Sequence, residues 1–462
     1  MTTAAFLVSA AHKSSGKTTV SLGLARALRR RGEAVHAFKK GPDYIDPIWL
    51  ARATGQPCYN LDFFTSAPEE IRATFRRGSA GAGVALVEGN KGLFDGMDLH
   101  GSDSNAALAR LLDLPVVLVV DAQGITRGVA PLLLGYRQFD PALRFAGVIL
   151  NKVAGPRHEA KLIESIEHHT DFRVLGAVRR FDGARIVEAH LGLVPANEDE
   201  RAEEKIERLA DLVAGQVDLD TLLAATQAPA RPAATAGPAA TDIGRGLRIG
   251  IARDAAFGFY YADDLDAFAA AGAELVFFDT LADQVLPPVD ALFVGGGFPE
   301  RHLAALAGNA ALRGAIRAAI EAGLPCYAEC GGLMYLSEAI EWRGASHPMV
   351  GVIPARAVMH ERPQGRGYVQ LEELPEAPWP PAEGMGDPGP LRAHEFHYSR
   401  LEGLPAGARF AYRVRRGAGI GGGRDGYLHR NLLANYAHLR HTADHPWVHR
   451  FLAFVRQVRD GR

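Results

Sequence analysis

Cysteine is scarce in this chain: Cys58, Cys326 and Cys330 are all there is in 462 residues. Three thiols make no disulfide framework, and that usage suits a reducing cytoplasm. Long apolar runs are missing as well. None reaches the ~20 residues that a membrane-spanning helix needs. Nor is there an excess of charge: 51 Lys+Arg against 53 Asp+Glu give a net charge of −2. No general attraction to nucleic acid or to an anionic membrane is expected from that balance. Residues 1–10 carry no basic segment and run straight into a phosphate loop, unlike a secretory leader. What is present, 47% hydrophobic and 23% charged residues, is the composition of a water-soluble globular protein. The length predicts two or three domains.

The first informative stretch is Ala11-His12-Lys13-Ser14-Ser15-Gly16-Lys17-Thr18-Thr19. A short apolar strand, Phe6-Leu7-Val8, precedes it, and a helical pattern from 20 to about 30 follows. Strand, loop and helix in that order are what a phosphate-binding P-loop requires. Its backbone N–H groups and the helix N-terminus would hold phosphate oxygens, with Gly16 and Thr19 in the cradle. Lys17 would reach the outer phosphates, and the Thr18 hydroxyl would bind Mg²⁺. Ala11 replaces the first glycine of the usual pattern, and Lys13 is one position out of register for a second phosphate-binding lysine.

Acids follow the next strands. Residues 34–38 deliver Lys39, Lys40, Asp43, Tyr44 and Asp46, and residues 84–87 end in Glu88-Gly89-Asn90-Lys91. Ligands of open α/β sheets gather at the carboxyl ends of strands. An acid straight after a strand is where a second Mg²⁺ ligand is expected in a P-loop protein. Further apolar strands at 116–120, 145–150 and 174–178 alternate with helical patterns at about 104–113, 127–137 and 156–169. That alternation predicts a parallel, doubly wound sheet. Asn151-Lys152, directly after a strand, suits recognition of a nucleotide base. Residues 200–225 read as two amphipathic helices that close the domain. The first domain is therefore set at 1–226, an Ala/Pro-rich linker at 227–245, and a second domain at 246–462.

The second half restarts the pattern, with strands at 247–252, 274–278 and 291–294 and a helix at about 262–271. Gly295-Gly296-Gly297 follows the last of these and could turn backbone N–H groups toward an oxyanion. Pro325-Cys326-Tyr327-Ala328-Glu329-Cys330-Gly331-Gly332 reads as a strand, a sharp turn and the start of a helix. Cys330 occupies the nucleophile position of that elbow. A helix beginning at Gly331 is expected to favour its thiolate. Cys326 reads as a structural core cysteine. A thiol nucleophile needs a base, and there are 17 histidines to choose from. His438 ends an apolar run near the C-terminus. His394 and His397, three apart, could share a helix face and bind a metal, although no third ligand is evident.

Taken together, these residues resemble the cobyrinic acid a,c-diamide synthase family, and the likeness covers nearly the whole chain. It is carried by the stretch ending at Thr19, Phe38-Lys39 with Gly41-Pro42-Asp43-Tyr44, Asn60-Leu61-Asp62, Glu88-Gly89 with Gly92-Leu93 and Asp95-Gly96, and His190-Leu191-Gly192-Leu193-Val194. In the second half it rests on Gly295-Gly296-Gly297 with Pro299-Glu300, the elbow around Cys330, His394-Glu395-Phe396-His397-Tyr398-Ser399, and Tyr436 with His438.

The resemblance implies an α/β chain of two domains, one like dethiobiotin-synthetase-type P-loop ligases and one like a class I glutamine amidotransferase with a flavodoxin-like sheet. It further implies glutamine hydrolysis at Cys330, with His438 as base and Gly297 giving an oxyanion N–H. ATP and Mg²⁺ then activate an acetate carboxylate of a tetrapyrrole as an acyl-phosphate, which ammonia converts to an amide. Asp43, Asp46 and Glu88 match family positions tied to metal or carboxylate handling. Lys40, Tyr44 and Lys91 are candidate substrate contacts.

Arg440 stands where triad amidotransferases carry Glu, so no third triad member is visible in the sequence. Cobyrinate, hydrogenobyrinate, sirohaem and nickel-sirohydrochlorin all remain open as the macrocycle. The expected partners are small molecules, with neither nucleic acid nor membrane, and a homodimer is entertained as the assembly. The rival reading is a P-loop switch ATPase with an inactive amidotransferase-like domain.

Overall fold

A computed structural model describes residues 2–180, 188–189, 192–229, 241–382 and 389–461. The chain divides into two units, Met1–Thr235 and Ala236–Arg462. His190 and Leu191 of the family stretch, and 230–240 of the Ala/Pro segment, lie outside the described residues.

In the first unit the chain runs β1 (Thr2–Ala10), α1 (Lys17–Arg30), β2 (Val35–Lys40), α2 (Ile45–Thr54), β3 (Tyr59–Leu61), α3 (Pro68–Gly78), β4 (Val84–Glu88) and α4 (Asn105–Leu112). It continues through β5 (Val116–Asp121), α5 (Val129–Phe139), β6 (Phe145–Val153), α6 (Pro156–His169) and β7 (Val174–Arg179). A short pair β8 (Glu188–Ala189) and β9 (Gly192–Leu193), then α7 (Ala202–Ala214), α8 (Leu219–Ala225) and β10 (Gln227–Pro229) complete it. Strands β3-β2-β4-β1-β5-β6-β7 lie in that order and pair in parallel. Strand β10 runs antiparallel to the start of β1. The segment expected to be pure linker from 227 onward thus begins with three residues of sheet.

A parallel sheet is buried on both faces, which is why its strands read as near-continuous apolar runs. Side chains alternate across the sheet. Ala4, Phe6, Val8 and Ala10 feed one core with α1 and α7, while Ala5 and Leu7 feed the other. Helix α1 starts at Lys17, three residues earlier than the pattern suggested, because Gly16 at φ +90° caps it in a conformation other residues resist.

The second unit runs β11 (Arg248–Ala252), β12 (Phe257–Phe259), α9 (Ala262–Ala270), β13 (Glu274–Phe278), β14 (Ala291–Val294), β15 (Gly296–Gly297), α10 (Leu303–Gly308), α11 (Ala310–Glu321), β16 (Cys326–Glu329) and α12 (Gly331–Leu336). Then follow β17 (Ser337–Trp342), β18 (Ala345–Pro348), β19 (Ile353–Met359), β20 (Gly365–Glu373), β21 (Leu391–His397), β22 (Ser399–Glu402), β23 (Arg409–Arg416), β24 (Arg424–His429), β25 (Leu432–Asn435) and α13 (Trp447–Asp460). Its main sheet has the order β13-β11-β14-β16-β25-β24-β23-β20-β21. The parallel strands β13-β11-β14-β16-β25 follow the 2-1-3-4-5 order of flavodoxin-like sheets. Antiparallel strands extend one edge. Cys326 is fully buried in a hydrophobic core, as a structural cysteine should be. Among the described residues no helix is long and apolar enough to cross a membrane.

Gly23 lets α7 approach α1 closely: a Cβ there would lie 2.4 Å from Val213 Cγ2 and 2.7 Å from the Leu209 carbonyl oxygen. Gly23→Val should therefore overpack the crossing at a cost of about 2–3 kcal/mol. Thermal unfolding should show a midpoint lower by roughly 5–10 °C. An unchanged midpoint would mean the two helices can part freely.

Candidate active sites

Three adjacent strands of the first unit, β2, β4 and β1, end at one place. The loop after β1 is the phosphate loop. Gly16 leaves room there for Asn151, since a Cβ on it would fall 2.1 Å from Asn151 Nδ2. That amide donates to the Ser15 carbonyl at 2.8 Å. Asn151 therefore braces the loop from the end of β6. Lys152 does the same beside it, bonding the Ser14 carbonyl at 2.9 Å and Asp121 at 2.6 Å. Lys13 is exposed and Thr19 half-buried.

Thr18 donates to Glu88 Oε1 at 2.8 Å and lies 3.5 Å from Asp46 Oδ2. Lys39, only 3% exposed, places its ammonium on both acids, 2.8 Å from Glu88 and in contact with Asp46. Burial alone would depress the Lys39 ammonium, but Asp46 and Glu88 outweigh it and hold it well above its usual range. Burial raises the Glu88 carboxyl. It also lifts Asp43 to about 7, helped by the neighbouring Asp46. Asp43 Oδ1 accepts from the N–H groups of Ile45 (2.9 Å) and Asp46 (3.0 Å), closing the turn into α2, where Tyr44 is buried. Lys17 donates to the Lys91 carbonyl at 2.5 Å, and burial, then Lys39, bring its ammonium down to about 8.

Glu88 Oε2 is buried and has no hydrogen-bond partner. Beside the Thr18 hydroxyl, that orphaned oxygen suits a small hard cation. No group of three or more His, Cys, Asp or Glu that could hold a metal occurs among the described residues. A cation here must draw further ligands from phosphate and water, which is the habit of a nucleotide-bound metal.

The two lysines singled out for substrate part company. Lys91 is exposed, whereas Lys40 is 5% exposed and donates to Asn90 Oδ1 at 3.1 Å. Lys40 ends β2 and is buried rather than on an open surface. Asn105, at the start of α4, had no signal in the sequence. Its side chain ties Ser9 Oγ (3.0 Å), the Gly92 carbonyl (3.0 Å) and the backbone of Asn90 together.

In the second unit, β14, β16 and β25 are adjacent and again end together. Cys330 sits on the elbow after β16 at φ 47° and ψ −100°, a conformation rare outside glycine. Its N–H donates to the Asn435 carbonyl at 2.8 Å, and its Sγ lies 3.8 Å from the Phe396 carbonyl. Two glycines make the turn feasible: a Cβ on Gly332 would meet the Val294 carbonyl at 2.1 Å, and one on Gly331 would lie 2.9 Å from Gly297 N. The Gly297 backbone thus borders the elbow, as an oxyanion donor must.

The Gly331 N–H does favour the Cys330 thiolate, as expected, but it is outweighed. Burial, then Glu300, push the Cys330 thiol up, and the opposing Gly331 N–H at the head of a six-residue helix does not offset them. The sulfur rests protonated and needs a base.

His438 follows β25. Its backbone exchanges hydrogen bonds with His394, and its ring leans on Gly296, where a Cβ would lie 2.5 Å from Cε1. His438 Nδ1 is 3.3 Å from Glu329 Oε2. Asp425 anchors the approach by accepting from the N–H groups of Tyr436 and Ala437, each at 3.0 Å. The helix-face reading of His394 and His397 is also corrected. They lie in strand β21, where residues three apart face opposite sides. Burial, then His438, lower His394 to about 3, so it is neutral. His397 stacks on Tyr436 with ring centroids 3.8 Å apart.

A phosphate loop backed by carboxylates in one unit, and a cysteine elbow with a histidine in the other, define the class: a nucleotide-binding domain joined to a glutamine-amidotransferase domain. Residues 7–193 match the CobQ/CobB/MinD/ParA nucleotide binding domain, and residues 248–446 match the CobB/CobQ-like glutamine amidotransferase domain. The chain is 45% identical over 456 residues to the cobyrinate a,c-diamide synthase of Magnetococcus marinus, covering 97% of both chains. It is 42% identical over 449 residues to that of Syntrophotalea carbinolica, covering 96% of both. Against that of Methanosarcina acetivorans it is 39% identical over 468 residues, covering 95% of this chain and 92% of the relative. The chain belongs to the cobyrinate a,c-diamide synthase family.

Asp43 offers a stability test. A carboxyl whose folded value is raised to about 7 destabilises the fold progressively as pH rises from about 4 to 7, and fully above that. Asp43→Asn keeps the turn-closing oxygen and removes the charge. Without nucleotide or metal, its melting temperature should exceed that of the parent at pH 8, and the gain should shrink toward zero near pH 4. A gain independent of pH would show that Asp43 is not strained by ionisation.

Proposed function

We propose that this chain is a glutamine-dependent cobyrinate a,c-diamide synthase, converting the a and c acetate side chains of the macrocycle to amides at the expense of ATP. The observation that carries the reading is the pairing in one chain of two complementary devices. One is a phosphate loop whose Thr18 hydroxyl meets a carboxylate with an unused oxygen. The other is a strained cysteine elbow bordered by a glycine backbone. Residues 1–226 carry the synthetase reaction and residues 246–462 the glutaminase reaction.

In the glutaminase step, His438 takes the thiol proton of Cys330 and the sulfur attacks the glutamine amide carbon. The Gly297 N–H stabilises the oxyanion that forms. Ammonia departs with the proton returned by His438, and water hydrolyses the thioester to glutamate.

A carboxylate is a poor electrophile, so the acid must gain a leaving group before ammonia can attack. In the synthetase unit, Gly16 to Thr19 hold the triphosphate, Asn151 braces the loop, and Lys17 leaves the Lys91 carbonyl to meet the outer phosphates. Thr18 and Glu88 would hold Mg²⁺, which neutralises charge on the transferring phosphoryl group when bound. The acetate oxygen attacks the γ-phosphorus, ADP leaves, and the resulting acyl-phosphate yields amide and inorganic phosphate when ammonia adds. Asp43 and Asp46 border this centre. Tyr44 and Lys91 are candidate contacts for the macrocycle, and Lys40 acts from beneath through Asn90. The intact Cys330, His438 and Gly297 set favours this reading over a switch ATPase with an idle second domain.

Cys330→Ala should abolish glutamine-dependent synthesis yet retain synthesis from added ammonium salt, measured as amide product per enzyme. Loss of both activities would contradict separate half-sites. Mass spectrometry of products from cobyrinate, hydrogenobyrinate, sirohaem and nickel-sirohydrochlorin, each with ATP and glutamine, should show cobyrinate gaining two amides fastest. No amidation of any of them would overturn the assignment.

A further inference from the structure

We propose that Glu329, the residue immediately before the nucleophile, is the acid that positions His438. This rests on the reading of Cys330 and His438 as nucleophile and base. Glu329 ends strand β16 and is 2% exposed. Its Oε2 lies 3.3 Å from His438 Nδ1, and its Oε1 accepts from the Leu439 N–H at 2.8 Å. One carboxylate thus holds both the ring of His438 and the backbone next to it.

The carboxylate is itself fixed. The Tyr327 hydroxyl, on the same face of β16, donates to Oε1 at 2.5 Å. The Tyr327 ring is stacked on Phe293 with centroids 5.3 Å apart and packs against Trp447, so its hydroxyl has little freedom. The Cε1 edge of the imidazole lies against Gly296, where no side chain intervenes. The position two residues past His438, where other amidotransferases carry their acid, is engaged elsewhere. Arg440 pairs with Asp263 through Nε (3.1 Å) and Nη2 (2.7 Å) and lies over the Tyr261 ring.

The chemistry follows from the hydrogen bond. Nδ1–H donates to Glu329, which leaves the lone pair on Nε2. Nε2 takes the proton from the Cys330 thiol as the sulfur attacks, and returns it to the departing ammonia. The Glu329 carboxylate offsets the imidazolium that exists between those two transfers. A structure in which burial keeps the sulfur protonated has particular need of an oriented base.

The test is a double-mutant cycle on the full chain, read as steady-state glutamine hydrolysis. Glu329→Gln keeps shape but can present N–H to the ring and so select the wrong tautomer. It should lower kcat about 100- to 10,000-fold while KM for glutamine stays within about threefold. In a His438→Gln background the same change should cost less than about threefold, because residues acting as a unit are not additive. Unchanged kcat, or losses that multiply in the double variant, would overturn the role of Glu329. Full glutamine use by His438→Gln alone would instead overturn the reading of the site. Should Glu329→Gln not fold, Glu329→Asp carries the same cycle, with a smaller loss expected and the same dependence on His438.

Discussion

Lys39 sustains the charge arrangement of the first unit. Its ammonium is almost fully buried between Asp46 and Glu88, and Asp43 stands close by. Unit charges 4 Å apart interact by about 4 kcal/mol at an effective dielectric of 20. Without the lysine, the acids would repel one another and at least one would stay protonated. With it, Glu88 can accept from Thr18 through one oxygen and keep the other for a cation. The Lys17 ammonium, brought down by burial and by Lys39, rests on the Lys91 carbonyl of the neighbouring loop. The phosphate-loop lysine and the acids thus belong to one charge cluster.

The second unit solves a different problem with the same architecture. There too the working groups stand at the carboxyl ends of neighbouring parallel strands. It stores strain rather than charge. A non-glycine residue at the φ of Cys330 costs of order 1–3 kcal/mol and persists only where its surroundings over-determine it. Here the surroundings are the Asn435 carbonyl that receives the Cys330 N–H and the close passage of Gly332 under Val294. The sulfur is consequently fixed in place, and burial holds it toward the thiol form.

Much of this was legible in the sequence for one reason: chemistry on parallel sheets gathers where strands end, and buried strands announce themselves as apolar runs. An acid or glycine directly after such a run, as at Glu88 or Gly295, therefore marks a site. The six-strand alternation of the first unit and the elbow at Cys330 followed from the same signal. Contacts that join distant strands left no such trace. Asn105 reaches Ser9 and Gly92 across the fold, and nothing local marks it. Glu329 did carry a mark, a charge at the end of an otherwise apolar strand, but its partner His438 is 109 residues away. Lys40, a candidate substrate contact in the sequence, is buried because β2 runs two residues longer than its apolar part. His394 and His397 suggested a helix by spacing alone, and the antiparallel edge of the sheet claimed them instead.

In the proposed reaction one unit frees nitrogen and the other makes a carboxylate receptive to it, and that second step can be followed by atom. Cobyrinate carrying ¹⁸O in its acetate carboxylates should be turned over with ATP and glutamine, and the released inorganic phosphate examined by mass spectrometry. If phosphorylation activates the acid, each amide formed delivers one ¹⁸O atom to phosphate. Phosphate free of the label, alongside normal amide formation, would contradict it.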